Sequence, residues 1–287
     1  MGMLSEALVT INNLKYTYEN HTQPTIQNIN LKIKAGSFIA ITGPSGAGKT
    51  TLCRSLVGLI PNFYMGKMEG DVTVCGLNTR KHTVAELARN IGLVFQNPDT
   101  QMITSSVEKE IRLGPTNIGL NEEIISSRTE EMIDFFDLDP IRKKAPHKLS
   151  GGQKQMVAIA SIVAMQPRVI VLDEPAANLS PLTTVTLFLK LKELSDKLGL
   201  TIITVEHKLL EFLLPLINRF IVMNEGLTVL DIHPHKIAGC LDDLIKLGVC
   251  LPQVTRIAHF LTKEGVELES LPITVDQAYS VFEGLLQ

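Results

Sequence analysis

Three glycines, a lysine and a hydroxyl residue fall within one short stretch, Gly43-Pro44-Ser45-Gly46-Ala47-Gly48-Lys49-Thr50. Such a stretch can cradle a phosphate chain. Glycines let consecutive backbone N–H groups turn inward with no Cβ in the way, and a helix N-terminus behind them adds partial positive charge. Lys49 can then reach the outer phosphates, the Thr50 hydroxyl can ligate Mg²⁺, and Thr51 opens the helix. A strand must deliver the loop and a helix must follow it. Phe38–Thr42 reads as a short buried strand, and Thr51–Val57 as the first turns of a helix.

Two further stretches carry chemistry. Val169–Leu172 reads as a buried strand that delivers Asp173 at its C-terminal end, where a carboxylate can hold Mg²⁺. Glu174, one residue further out, can polarise an attacking water, and whether it is a full general base stays open. Leu149-Ser150-Gly151-Gly152-Gln153 precedes the helical run Lys154–Met165. Ser150 and Gln153 have capping-box spacing, and two glycines at the helix mouth leave N–H groups open to an anion. A chain with one phosphate loop hardly needs a second phosphate-facing helix start for the same nucleotide. The economical reading is that Ser150–Gln153 faces a nucleotide held by another subunit.

These stretches need an alternating scaffold, and the chain supplies one. Strand candidates are Ala7–Leu14, Ile26–Ile33, Met68–Cys75, Ile91–Phe95, Thr201–Val205, Arg219–Met223 and Leu227–Leu230, the last entered through a turn at Asn224-Glu225-Gly226. Ser180-Pro181 caps a helix that stops near Gly199. The alternation predicts an α/β fold, with a mostly helical block inserted at about 97–161. After about Asp231 the pattern changes to short amphipathic helices at Cys240–Leu247, Val254–Thr262 and Val275–Leu286. The last is headed by a Thr274-x-x-Gln277 capping box. Whether this tail packs on its own core or contacts a partner is left open.

Bulk composition narrows the class. With Lys+Arg 27 against Asp+Glu 30, the charge does not point to a nucleic-acid-coating protein, and no nucleic-acid partner is expected. The candidate apolar stretches, Met156–Met165 and Leu209–Ile217, are too short to cross a bilayer, and Met1–Thr10 lacks a signal-peptide layout. Cys53, Cys75, Cys240 and Cys250 show no CxxC spacing and read as buried thiols in a reducing compartment.

The motifs together resemble those of ATP-binding cassette ATPases over about residues 7–230. Gly43–Thr50 is similar to Walker A, Val169–Glu174 to Walker B, and Leu149–Gln153 to the family signature. The resemblance implies a P-loop NTPase core with an antiparallel β-subdomain and the inserted helical subdomain, spanning 1–232. A small C-terminal α-helical extension, accessory or dimerising, would cover 233–287. It also implies ATP and Mg²⁺ as ligands, and a head-to-tail pair with a second cassette subunit. Tyr18 matches the family's adenine-stacking aromatic. Gln96 matches the glutamine that contacts Mg²⁺, and His207 the histidine at the γ-phosphate. Lys49, Glu174 and His207 would be the catalytic set, with Thr50, Gln96 and Asp173 around the metal. One departure is Ser180, where the family usually has Asp. Ser can still cap the following helix, but it puts communication between the paired sites in doubt.

Gln96-Asn97-Pro98-Asp99-x-Gln101 and the tail resemble energy-coupling factor transporter ATPases. That narrower resemblance implies an importer of vitamins or transition-metal ions. The pair would be peripheral on the cytoplasmic face of the membrane, docked on a transmembrane coupling subunit, with a separate membrane subunit binding the substrate. A groove near Gln96–Ile111 would receive the coupling helices. An ABC-type ATPase not linked to transport, or one serving another importer subtype, remains the alternative.

Overall fold

The computed structural model describes residues 7–207 and 210–283. Residues 1–6 of the N-terminal stretch, Leu209, and the end of the expected 275–286 helix lie outside these. Ten strands form two sheets among the described residues. They are β1 (Ala7–Tyr18), β2 (Ile26–Lys34), β3 (Phe38–Thr42), β4 (Gly66–Val74), β5 (Leu77–Asn78), β6 (Ile91–Val94), β7 (Val169–Asp173), β8 (Thr201–Val205), β9 (Arg219–Asn224) and β10 (Leu227–Ile232).

The first sheet has the order β2-β1-β4-β5 and is antiparallel. Its strands alternate buried and outward residues, as β2 does from Ile29 to Lys34. One face therefore packs inward and the other meets water. The second sheet has the order β10-β9-β3-β8-β7-β6, parallel except for β10. Its central strands β3, β7 and β8 are buried at every residue, as the apolar runs Phe38–Thr42 and Val169–Leu172 require.

Period-two geometry splits these strands between two cores. Phe38, Ala40, Ile170, Leu172 and Ile202 face the helical side, where they meet Val157, Leu187 and Phe188. Ile39, Ile41, Val169, Val171 and Ile203 face the antiparallel sheet and the helix Lys49–Leu56. Each such aliphatic side chain contributes about 1.5–3 kcal/mol of burial free energy, so the strand ends that carry chemistry sit on the stiffest part of the molecule.

Several local expectations hold in detail. Ser180 caps Pro181–Leu198 by accepting from Thr183 N, and Gly199 ends that helix in the left-handed region. Glu225 and Gly226 both have positive φ, the two-residue loop that suits the β9–β10 hairpin.

Two expectations need correction. Only Cys53 is buried among the cysteines; Cys75 and Cys240 are half-buried and Cys250 is exposed. Cys75 sits at a turn after β4, at the margin of the apolar cluster it packs against, and Cys250 lies in the connection between two tail helices. At Thr274 the box is half made. Thr274 Oγ1 accepts from Gln277 N, but Gln277 Oε1 takes the N–H of Ile273 rather than that of the cap itself.

The tail helices are Leu241–Lys246, Gln253–Lys263 and Val275–Glu283. Ile237, Leu241, Leu244, Val249 and Leu251 join the same apolar cluster as Ile202 and Phe220. No helix among the described residues is long and apolar enough to cross a membrane.

Candidate functional site

The strand order β3-β8-β7-β6 sets four C-terminal strand ends side by side. Gly43 follows β3, His207 lies two residues past β8, Asp173 ends β7 with Glu174 next, and Gln96 lies two residues past β6. Segments far apart in sequence thus meet at one edge, where open parallel sheets place their ligands.

Gly43–Thr50 folds into a loop that wraps the start of the Lys49–Leu56 helix. Two positions demand glycine. At Gly43 (φ 139°) a Cβ would lie 1.9 Å from Met223 O, and at Gly48 (φ 94°) it would lie 2.5 Å from Ile26 Cγ2 and 2.7 Å from Thr25 O. Lys49 Nζ donates to Gly43 O at 2.7 Å and Pro44 O at 2.9 Å, so its ammonium stands in the mouth of the loop. Burial pulls its pKa below the ordinary lysine value, against the carboxylates of Glu174 and Asp173.

A cavity of about 480 Å³ opens over this loop. Ser45, Gly46, Ala47, Gly48, Lys49, Thr50 and Thr51 line it, with Gln96, Glu174 and His207 opposite and Thr25 at the side. Glu174 is the hub of the far wall. Its Oε2 accepts from Gln96 Nε2 at 2.8 Å, and its Oε1 lies 3.2 Å from His207 Nδ1. That second approach lacks hydrogen-bond alignment, and Nδ1 has no hydrogen-bond partner among the described residues. Glu174 has φ 52°, a left-handed backbone that non-glycine residues seldom hold.

Asp173 sits behind, 6% exposed, accepting from Thr50 Oγ1 at 3.2 Å. Burial raises its pKa, helped by Glu174 and opposed by the Thr50 hydrogen bond. A buried carboxylate beside a hydroxyl and a carboxamide-linked second carboxylate is an oxygen-rich donor set for a hard divalent cation. Thr50, Asp173 and Gln96 fit Mg²⁺ on that chemistry.

The remaining expected residues divide into two groups. Tyr18 ends β1, and its hydroxyl shares a hydrogen bond with Thr51 Oγ1 at 3.2 Å. Ser150, Gly151, Gly152 and Gln153 do not line the cavity; they form a complete capping box at the start of Gly151–Val163, largely on the surface.

Sequence reasoning missed three residues. Arg54 donates to Tyr18 Oη at 3.2 Å and stacks on the Tyr64 ring at 4.3 Å, clamping the tyrosine. Its place one turn behind Thr50 and Thr51 was the available signal. Glu206 is 2% exposed and accepts from Ala176 N at 3.0 Å. Burial, with Glu174 and Asp173 facing it, pushes its carboxyl up to about 8. The third is Thr25 of the cavity wall.

The ABC transporter family model matches residues 26–177, which include the loop and both carboxylates. The chain belongs to the ABC transporter family. It is an ABC-type ATPase with that family's mixed fold, a parallel P-loop sheet beside an antiparallel subdomain. The energy-coupling factor transporter ATP-binding protein EcfA1 of Clostridium novyi is 34% identical over 96% of this chain and 97% of its own length. A provisionally named ABC transporter ATP-binding protein of Methanosarcina acetivorans is 37% identical over 96% of this chain, which spans 42% of that relative's length. Among ABC structures, cbiO1 of Clostridium perfringens, part of the transporter complex cbiONQ, superposes with a TM-score of 0.74 at 29% identity. It covers 90% of this chain and 99% of its own. A dimeric ATP-binding cassette in a post-hydrolysis state with ADP and Pi gives 0.67 at 27% identity, covering 79% and 98%.

Proposed function

We propose that this chain is the ATP-hydrolysing subunit of an energy-coupling factor type importer, working as one half of a head-to-tail cassette pair. Each ATP lies between the Gly43–Thr50 loop of one subunit and the Ser150–Gln153 helix mouth of the other. Lys49 and the loop N–H groups hold the phosphates. Thr50, Asp173 and Gln96 would hold Mg²⁺, which when bound would supply charge neutralisation to the phosphate oxygens. Glu174 orients and polarises the attacking water, with Gln96 fixing its carboxylate, and His207 stands at the γ-phosphate. The reaction is phosphoryl transfer to water, governed by positioning and electrostatics. The pair sits peripherally at the cytoplasmic face of the membrane on a transmembrane coupling subunit. A separate membrane subunit takes the vitamin or transition-metal ion.

The observation that carries the finer reading is the run Gln96–Gln101. Asn97 caps a single 3₁₀ turn at Pro98–Thr100. Gln101 is stitched to the end of β6, accepting from Phe95 N at 2.7 Å and donating to Leu93 O at 3.2 Å. Asp99 pairs with Lys154, on the helix that Ser150 caps, at 2.6 Å. The run therefore ties a cavity residue, Gln96, to the Ser150 helix, and two residues past its end Ile103 stands 78% exposed. Full-length similarity to EcfA1 supports the same reading, as does the likeness to cbiO1.

Co-expression with neighbouring membrane subunits tests it. The chain is expected to co-purify with them from detergent, and Ile103→Asp to abolish capture while ATP affinity is kept. Full-speed turnover by a strictly monomeric chain overturns the proposal.

Tyr18 gives a second test. Tyr18→Ala is expected to weaken ATP binding by about 1–3 kcal/mol through lost stacking. Tyr18→Phe, which keeps the ring and loses only the hydroxyl ties to Thr51 and Arg54, should lose about 1 kcal/mol. Equilibrium titration with a fluorescent ATP analogue checks both, and equal affinity for all three proteins removes Tyr18 from the site.

A further inference from the structure

Glu174 follows the last residue of β7 and opens a tight turn, Glu174-Pro175-Ala176-Ala177, closed by Ala177 N donating to Glu174 O at 3.2 Å. A turn of this kind satisfies its outer amide and leaves the central ones unpaired. Pro175 has no N–H to lose, but Ala176 does, and Ala176 is 2% exposed, where water cannot serve it. The partner is supplied from the neighbouring strand. Glu206 Oε1 accepts the Ala176 N–H at 3.0 Å.

The anchor behind that carboxyl is rigid. Glu206 N donates to Ile41 O at 3.0 Å, which fastens its backbone to β3. Val205, the residue before it, accepts from Glu174 N, also at 3.0 Å. The backbone of Glu174 is thus held on one side by β8 and on the other by a turn whose inner amide rests on Glu206. Losing the Glu206 contact removes one of the three restraints, beside those from Val205 and Ala177, that hold the left-handed φ at Glu174, a conformation costing about 1–3 kcal/mol where surrounding structure does not impose it.

We propose that Glu206 is a positioning residue for hydrolysis: its side chain fixes the Glu174–Ala177 turn and so aims the Glu174 carboxylate at the attacking water. The inference rests on the role given to Glu174 above. Glu206 is not itself among the residues that line the cavity, so its contribution falls on turnover and not on nucleotide affinity. What the turn needs is an acceptor in a buried place. A glutamine amide oxygen can accept at the same reach, so it is the closest substitute for the Oε1 that takes the Ala176 N–H.

The test compares Glu206→Met, which fills the volume without a comparable acceptor, with Glu206→Gln, in the full chain under the conditions where it turns over ATP. Glu206→Met is expected to lower kcat by about 10–100-fold, the range for a slight misplacement of a catalytic group. Its ATP affinity should match that of the unaltered protein. Glu206→Gln should restore most of the rate. Wild-type turnover in a folded Glu206→Met overturns the proposal, and so does a Glu206→Gln as slow as the Met variant. If Glu206→Met does not fold, the Gln variant decides alone: a folded, ATP-binding but slow protein rejects the acceptor role, and a fast one supports it. Glu174→Gln, run alongside, separates the two readings. A fast Glu174→Gln sinks the hydrolysis assignment itself, whereas a slow Glu174→Gln beside a fast Glu206→Met sinks only the positioning role.

Discussion

Glu174→Gln is expected to bind ATP with Mg²⁺ as tightly as the unaltered protein and to lose turnover by roughly 10²–10⁴-fold. The substitution keeps the size of the side chain and keeps an oxygen to accept from Gln96 Nε2, now at 2.8 Å from Glu174 Oε2. It also keeps the backbone restraint on the turn, which depends on Val205, Ala177 and Glu206. What disappears is the negative charge and the capacity to take up a proton. Nothing in the phosphate cradle changes, because the loop amides and Lys49 are untouched. In the proposed pair, the binding energy that closes it would then be retained while the step that releases it is blocked, so ATP-bound dimers should accumulate. Phosphate release measures the first effect, and light scattering with and without ATP measures the second. Unchanged phosphate release would take Glu174 out of the mechanism.

How much of this site could be read from the sequence depends on how local each feature is. The Gly43–Thr50 loop was legible because its demands are met within one stretch: Gly43 and Gly48 have no space for a Cβ, and Lys49 folds back on carbonyls five and six residues away. The Ser150 box and the Ser180 cap were legible for the same reason, as contacts between residues three apart. The α/β alternation was legible because β3, β7 and β8 are buried on both faces and so read as unbroken apolar runs. Strand order was not. That β8 lies between β3 and β7 is decided by tertiary packing, and it is this order that brings His207 to Glu174 and Glu206 to Ala176. Glu206 stayed hidden because a carboxylate after an apolar strand reads as the start of a solvated loop, whereas here the strand's end is covered. The Arg54–Tyr18–Tyr64 clamp joins three separate segments and leaves no periodic trace. Cysteine burial failed for the opposite reason. Residue type favours the interior, but Cys75 sits at a turn on the margin of the core and Cys250 in an exposed connection between tail helices.

Lys49→Ala acts on the other half of the reaction and should remove most of the nucleotide affinity. Lys49 is 7% exposed, its ammonium held by Gly43 O and Pro44 O, with the carboxylates of Asp173 and Glu174 facing it. Replacing it by a methyl group does three things together. It deletes a charge-assisted donor to the outer phosphates, worth about 1.5–3 kcal/mol on its own. It leaves two loop carbonyls without that donor, so the cradle loses part of its shape. It also leaves two carboxylates facing an incoming polyanion with no resident cation between them, which turns a near-neutral wall repulsive. The first term alone predicts a loss of about 10–150-fold, and the other two add to it. Lys49→Arg discriminates among the causes, since it keeps the charge but cannot place a planar fork where a compact ammonium fits. It is expected to recover part of the electrostatic loss and little of the hydrolysis. Calorimetric titration with a slowly hydrolysed ATP analogue reads the affinity directly. Wild-type affinity in Lys49→Ala would mean that the phosphates lie elsewhere, and the loop assignment would fall with it.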